Sequence, residues 1–347
     1  MLRISPNEVS FNDIDASGII YAQTSKFEKA HYFYRAFEDQ APNLFTIRDR
    51  QEHAQDKRLI SHAFSRANIV LHQEFIYTKA AYLMDRIAQR VKDGQTIPLF
   101  PAFRCLTLDT ISEFAFGKTT GALQSEKFES EIFEAIDKAT DSVPFFQHFP
   151  ILREGLRWAS YYKLAAVPNG FLELGQKAEE AFKEMNTTET WTMFKNMLSS
   201  AAKSSTVLDK EHLISEAIVM LVAGTDTTAS ALALSLNHLL QQPEVYRKLQ
   251  DEVRTVMPTV DSRPAVEELD ALPFLDACIK EGLRISCPSR NLSLIEQKIV
   301  LSMFVRRFSP KDVLKKTPRI REAITIILDD PVDVRLEFAT DVAVSKE

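Results

Sequence analysis

The chain has 347 residues, 45% hydrophobic and 26% charged, which suits a soluble globular protein with room for a sizeable core and allows about two domains by length. It carries 42 Lys and Arg against 48 Asp and Glu, a net charge of −6, so the basic surplus of a nucleic-acid binder is absent and no nucleic-acid partner is expected. Its 9 glycines exclude G-x-G-x-x-G, because no two are closer than four residues, and the P-loop, because Gly175, five after Gly170, is followed by Gln176 rather than Lys. Abundant Leu, Ala, Glu and Lys lean the chain toward helix.

In chain order, residues 3–11 predict a short strand and turn, punctuated by Pro6 and Asn7. Residues 25–45 are aromatic-rich and irregular. Between about 50 and 91, Leu59, Ala63, Phe64, Ile69, Leu83, Ile87 and Val91 recur at helical spacing. Pro98 and Pro101 break that run, and 103–116 is again helical. Residues 143–152 predict an apolar loop between helices, and SSAAKSST at 199–206 a polar linker. Helices follow over 213–241, 243–256, 273–285 and 292–307, and 323–338 alternates as strands do. No signal peptide opens the chain, and the most apolar run, 217–223 between Glu216 and Asp226, is too short to span a bilayer.

The three cysteines, Cys105, Cys278 and Cys287, cannot all pair and form no C-x-x-C. Neither a disulfide framework nor a zinc knuckle fits, no metal-ligand set is read, and a reducing compartment is the simple reading.

Ala223-Gly224-Thr225-Asp226-Thr227-Thr228 lies inside the most apolar helix. Gly224 weakens a helix interior by about 1 kcal/mol relative to Ala. Asp226 puts a charge where burial is expected, and buried charges need partners. Thr227 and Thr228 can bond back to the preceding turn and bend it. Two readings fit: a widened turn beside an acid–alcohol pair able to relay protons, or a helix with one face in water. Glu281 and Arg284 at i, i+3 share a helix face, as solvated surface pairs often do. His53 and Lys57 at i, i+4 also share a face, either as a two-pronged anion site or as an ordinary basic surface.

Taken together and in order, EHAQDKRLISHAFS, LVAGTDTTAS and LPFLDACIKEGLR resemble the cytochrome P450 family, the microsomal type of filamentous fungi that mostly serves secondary metabolism. RISPNEVSFND resembles the start of that family's first sheet, and NLSLIEQKIVLSMFVRRF the helix after the haem cysteine. The resemblance implies a mainly α fold with a small β portion, a haem monooxygenase activity, an apolar small-molecule substrate, NADPH–cytochrome P450 reductase as partner and the endoplasmic reticulum membrane as location. It implies that Ala223 and Gly224 line the oxygen pocket, that Asp226 and Thr227 deliver protons, and that His53 and Lys57 hold a haem propionate. Lys57 stands where the family has Arg, keeping the charge without the bidentate fork. Glu281 and Arg284 would brace the core, and the segment 145–149 would lie near substrate entry and the membrane face.

The family's F-x-x-G-x-R-x-C-x-G loop, whose thiolate binds the iron, is not found. Cys287 follows the Glu281–Arg284 helix without a glycine-rich flank, and the sequence jumps to the next helix near 288–291. The chain is therefore expected to be one incomplete P450-like domain with an internal deletion there and no N-terminal anchor. It would be catalytically inactive, doubtful as a haem binder, and cytoplasmic or only peripherally membrane-associated. The alternatives are a mis-spliced form of an active monooxygenase, or a helical binding protein on the same scaffold.

Overall fold

A computed structural model describes residues 1–11, 13–22, 24–38, 41–161, 170–185, 189–204, 206–282, 290–312, 320–322, 326–328 and 331–339. Strands β1 (Leu2–Ser5) and β2 (Glu8–Ser10) form an antiparallel hairpin bent at Pro6 and Asn7, as the sequence predicts. Helices follow as α1 (Ile14–Ile20), α2 (His31–Tyr34), α3 (Arg50–Ser61), α4 (Arg66–Leu71) and α5 (Gln73–Lys92). After β3 (Ile97–Pro98) come α6 (Leu99–Phe116), α7 (Glu131–His148), α8 (Pro150–Tyr161), α9 (Gly170–Met185), α10 (Met193–Lys203) and α11 (Lys210–Leu240). The chain continues through α12 (Pro243–Arg254), α13 (Val266–Asp270), α14 (Pro273–Gly282), α15 (Arg290–Arg307) and strands β4 (Phe308–Asp312), β5 (Ile320–Glu322), β6 (Ile326–Leu328) and β7 (Asp333–Phe338). β7 lies between β3 and β4, antiparallel to both, and β5 pairs with β6. The fold is mainly α with a small β portion, in agreement with the sequence.

Three local expectations need correction. Pro101 does not break a helix: α6 begins at Leu99, so Pro101 sits in the first turn, where a backbone N–H has no intrahelical acceptor to lose. The apolar loop at 143–152 is instead helix on both sides, with α7 running through Pro144 and only Phe149 between it and α8. Pro144 removes one helical hydrogen bond. Burial of Val143 against Ala36 and Phe37 favours keeping the helix despite that loss. The polar linker at 199–206 is helical over 199–203, the end of α10, where Ala201 packs into the core at 3% exposure.

The core is centred on the packing of α6 against α11. Gly224 makes this approach possible: a Cβ there would stand 2.7 Å from Ile111 Cγ1. At the same level Thr107 Oγ1 donates to the Thr225 carbonyl, 2.9 Å. α15 joins from the other side, where Tyr246 Oη donates to the Phe308 carbonyl (2.8 Å) and Gln250 Nε2 to that of Val305 (2.7 Å). By length and composition α11 is apolar enough to cross a membrane, unlike the short run read from sequence, but 56% of its apolar window is buried inside the protein. It is a core helix, started by Asp209, whose carboxylate accepts the His212 N–H at 2.7 Å.

Candidate functional site

Along the middle of α11, Ala223 is exposed and Val222, Gly224 and Thr227 are half-buried, flanked by buried Leu221, Thr225 and Thr228. This strip opens onto a cavity of about 130 Å³. Phe37, Phe45 and Phe171 face Val222 and Ala223 across it, and Asn43, Thr140, Asp226 and Thr227 contribute the polar atoms. An apolar chamber with a few polar groups fits a small apolar molecule. Of the two sequence readings for this segment, neither is complete: one face of α11 is open, but to an apolar cavity.

Asp226 is 4% exposed and its charge is met by Arg104 of α6. Arg104 Nε donates to Asp226 Oδ1 at 2.6 Å and Nη2 to Oδ2 at 3.1 Å, the bidentate geometry. The same guanidinium reaches Asp137 of α7 through Nη2 at 2.5 Å and lies 4.5 Å from the centre of the Phe133 ring. Burial raises the Asp226 carboxyl and Arg104 pulls it back down. Burial alone would lower Arg104, but Asp226 and Asp137 more than offset it and hold the cation. A guanidinium cannot surrender its proton, so the contact is an ion pair joining α6, α7 and α11. Thr227 Oγ1 donates to the Ala223 carbonyl one turn earlier, 2.5 Å. Both members of the acid–alcohol pair are therefore engaged locally. Sequence reasoning missed Arg104 and Asp137. The available signal was a lone Arg inside the apolar run FPAFRCLTL, since a charge buried there must find a partner.

His53 is half-buried and Lys57 exposed, one turn apart on α3. Lys29, also missed, joins them. Its Nζ donates to the Phe45 carbonyl at 2.7 Å, and burial lowers it to about 8. Burial, then Lys29 and Lys57, lowers His53, which favours neutral imidazole. Three basic groups thus gather behind the Phe45 wall of the cavity, a setting suited to carboxylates.

Glu281 is exposed at the end of α14 rather than in the core. Arg284 and Cys287 lie outside the described residues. Gly282 packs so closely on Ser235 of α11 that a Cβ would overlap its Oγ. The 145–149 segment presents Phe145 and Phe149 to solvent, at 45% and 55% exposure, beside Ile151 and Trp158.

A haem would need a wall, cations for its carboxylates and, in this family, a thiolate. The strip at Ala223 and Thr227 offers the wall, Lys29 and Lys57 the cations, and His53 a neutral N–H donor. The cysteines among the described residues do not offer the thiolate. Burial pushes Cys105, enclosed within α6, up to about 12 and Cys278 on α14 up to about 11, so both remain protonated. The described residues fit only part of a haem–thiolate centre, and no oxidative step is derived from them.

A profile of the cytochrome P450 family matches residues 16–302. The chain is similar to the cytochrome P450 monooxygenase orf6 of Eupenicillium brefeldianum, 30% identical over 323 residues that cover 89% of this chain and 61% of that protein. It is similar also to the cytochrome P450 monooxygenase flvC of Aspergillus flavus, 27% identical over 289 residues, 80% of this chain and 54% of that protein. Among solved structures, the cytochrome P450DA haem domain shares the fold with a TM-score of 0.75 at 17% identity, covering 90% of this chain and 84% of that one. The chain spans between 54% and 61% of the length of these two curated relatives.

Proposed function

The chain belongs to the cytochrome P450 family, and from that premise we propose that it keeps the family's apolar small-molecule pocket without carrying out monooxygenation. The observation that carries this reading is the ligand set: among the described residues Cys105 is enclosed within α6 and Cys278 is half-buried on α14, both held as thiols, while the cavity at Ala223 and Thr227 is formed. Ala223 lines the pocket while Gly224 beside it packs on Ile111 of α6, Asp226 and Thr227 hold the positions of the proton-delivering pair, and His53 and Lys57 take carboxylates together with Lys29. The bracing role that the family implies for Glu281 and Arg284 is not proposed for Glu281, which is exposed at the end of α14. The substrate class is an apolar small molecule of fungal secondary metabolism. NADPH–cytochrome P450 reductase is the partner of a competent relative.

The test supplies haem, NADPH and the reductase to the purified chain with a panel of apolar compounds. Expected are saturable binding of an apolar fluorescent probe, weakened by Ala223→Trp, and no oxidised product by mass spectrometry. Oxidised product overturns the reading. A second reading, a shortened transcript of an active monooxygenase with the Cys loop lost near 288–291, is supported by the sequence, which passes from LPFLDACIKEGLR to NLSLIEQKIVLSMFVRRF within a few residues. Transcript sequencing across 289–291 separates the two, since an exon encoding the loop restores the enzyme.

A further inference from the structure

We propose that Asp56, His212 and Glu216 form a binding site for one divalent transition-metal cation of the zinc type, at the junction of α3 with the first turns of α11. His212 and Glu216 stand at i, i+4 on one face of α11, and Asp56 meets them from α3. One ligand atom from each residue lies within 4.8 Å of the other two. His212 Nε2 is 3.3 Å from Asp56 Oδ2 and 4.0 Å from Glu216 Oε1. Ligand atoms bound tetrahedrally at ~2.0–2.2 Å from zinc stand roughly 3.3–3.6 Å apart. The His–Asp pair already has that spacing, and Glu216 needs to close by about half an ångström.

The second observation is what these atoms lack. Asp56 Oδ2, His212 Nε2 and Glu216 Oε2 are all buried; the first two meet each other without a well-aligned hydrogen bond, and Glu216 Oε2 has no hydrogen-bond partner among the described residues. Glu216 is only 1% exposed and Asp56 8%. Buried polar atoms are nearly always satisfied, so a carboxylate oxygen left open beside the His212–Asp56 contact marks a place for a shared cation. Glu216 Oε1, the oxygen 4.0 Å from His212, also accepts the Leu44 N–H at 2.5 Å, which orients the carboxylate as outer-shell bonds orient metal ligands and leaves Oε2 open. Two carboxylates and one imidazole balance a divalent charge and give the mixed N/O set that zinc and its neighbours accept.

The placement also suggests what the cation does. Ser215, beside Glu216, accepts the Ala41 N–H at 3.2 Å, and the intervening segment supplies Asn43 and Phe45 to the cavity wall. A cation here fastens α3, α11 and that wall together.

The test titrates the EDTA-stripped full chain with Zn²⁺ alone by calorimetry. One saturable Zn²⁺ per chain is expected. Glu216→Gln and His212→Ala should each weaken it by about 100-fold or more, the upper end of what even an outer-shell partner contributes. His238→Ala, exposed on the same helix, leaves it unchanged. Glu216→Gln keeps the acceptor for Leu44, and circular dichroism reports whether each variant folds. On the unsubstituted chain, Co²⁺ should give visible d–d absorption that Zn²⁺ displaces. No saturable uptake, uptake that survives both substitutions, or no Co²⁺ band overturns the site.

Discussion

Two buried carboxylates stand ten residues apart on α11, and the protein treats them differently. Asp226 meets a cation encoded in the chain, Arg104, which grips both of its oxygens. Glu216 receives one backbone N–H, and its second oxygen has no partner among the described residues. Burial raises both carboxyls, Glu216 to about 8, and only Asp226 has a guanidinium pulling it back. A core helix can thus carry charge at two points and resolve it by two means. One is a fixed ion pair that ties three helices. The other is a cluster left open to a mobile partner.

The largest effect should come from breaking the fixed pair. Arg104→Met leaves Asp226 charged and alone, and should lower stability by about 3–5 kcal/mol in urea unfolding. Arg104→Met with Asp226→Leu should recover most of that loss, because an apolar pair of similar volume often serves as well. A loss below about 1 kcal/mol for the single change would show that Asp226 does not depend on Arg104.

Glu296 of α15 extends the comparison to a third buried carboxyl with no arginine on it. Burial pushes it from 4.5 up to about 8, against a hydrogen bond from Thr110 that lowers it. The folded chain therefore holds this proton more tightly than the unfolded one. Its contribution to stability is full below pH 4.5 and is lost as pH rises toward about 8. Urea midpoints measured across that window should fall with pH, and the slope should be shallower in Glu296→Gln. An unchanged slope would contradict the assignment.

Gly224→Ala comes next, with a net loss of about 1 kcal/mol. Overpacking against Ile111 costs about 1–3 kcal/mol, and roughly 1 kcal/mol returns as helix propensity. In a double-mutant cycle, Ile111→Ala should make the added methyl cheaper to hold. The smallest effect belongs to Asp137→Asn. Its side chain is 41% exposed, and such a pair contributes about 0–1 kcal/mol. A larger loss would mean that Arg104 depends on its outer acid as much as on its buried one.

Much of the fold was legible because apolar residues recur at helical spacing. Leu59 to Val91 marked α3 to α5, and Pro6 with Asn7 marked the first hairpin. The Ala223–Thr228 segment was legible because it breaks several local rules at once. Pro144, Ser199 and Ser200 were misread, since burial of Val143 and Ala201 outweighs their local preference for turns. Arg104 belongs to no motif and gains its meaning only when α6 packs on α11. Lys29 reaches the site through a backbone carbonyl, which no side-chain pattern reports. Asp56 lies far in sequence from His212 and Glu216, so only folding brings the three together. Glu281 was expected in the core and lies at the surface, and Arg284 falls outside the described residues.

The measurement that bears most directly on the chain's chemistry is the absorbance spectrum of the purified protein after haem is supplied, reduced and exposed to carbon monoxide. With Cys105 and Cys278 held as protonated thiols, no thiolate-type Soret band is expected. A stable thiolate-type band would contradict the proposal that this chain lacks monooxygenation.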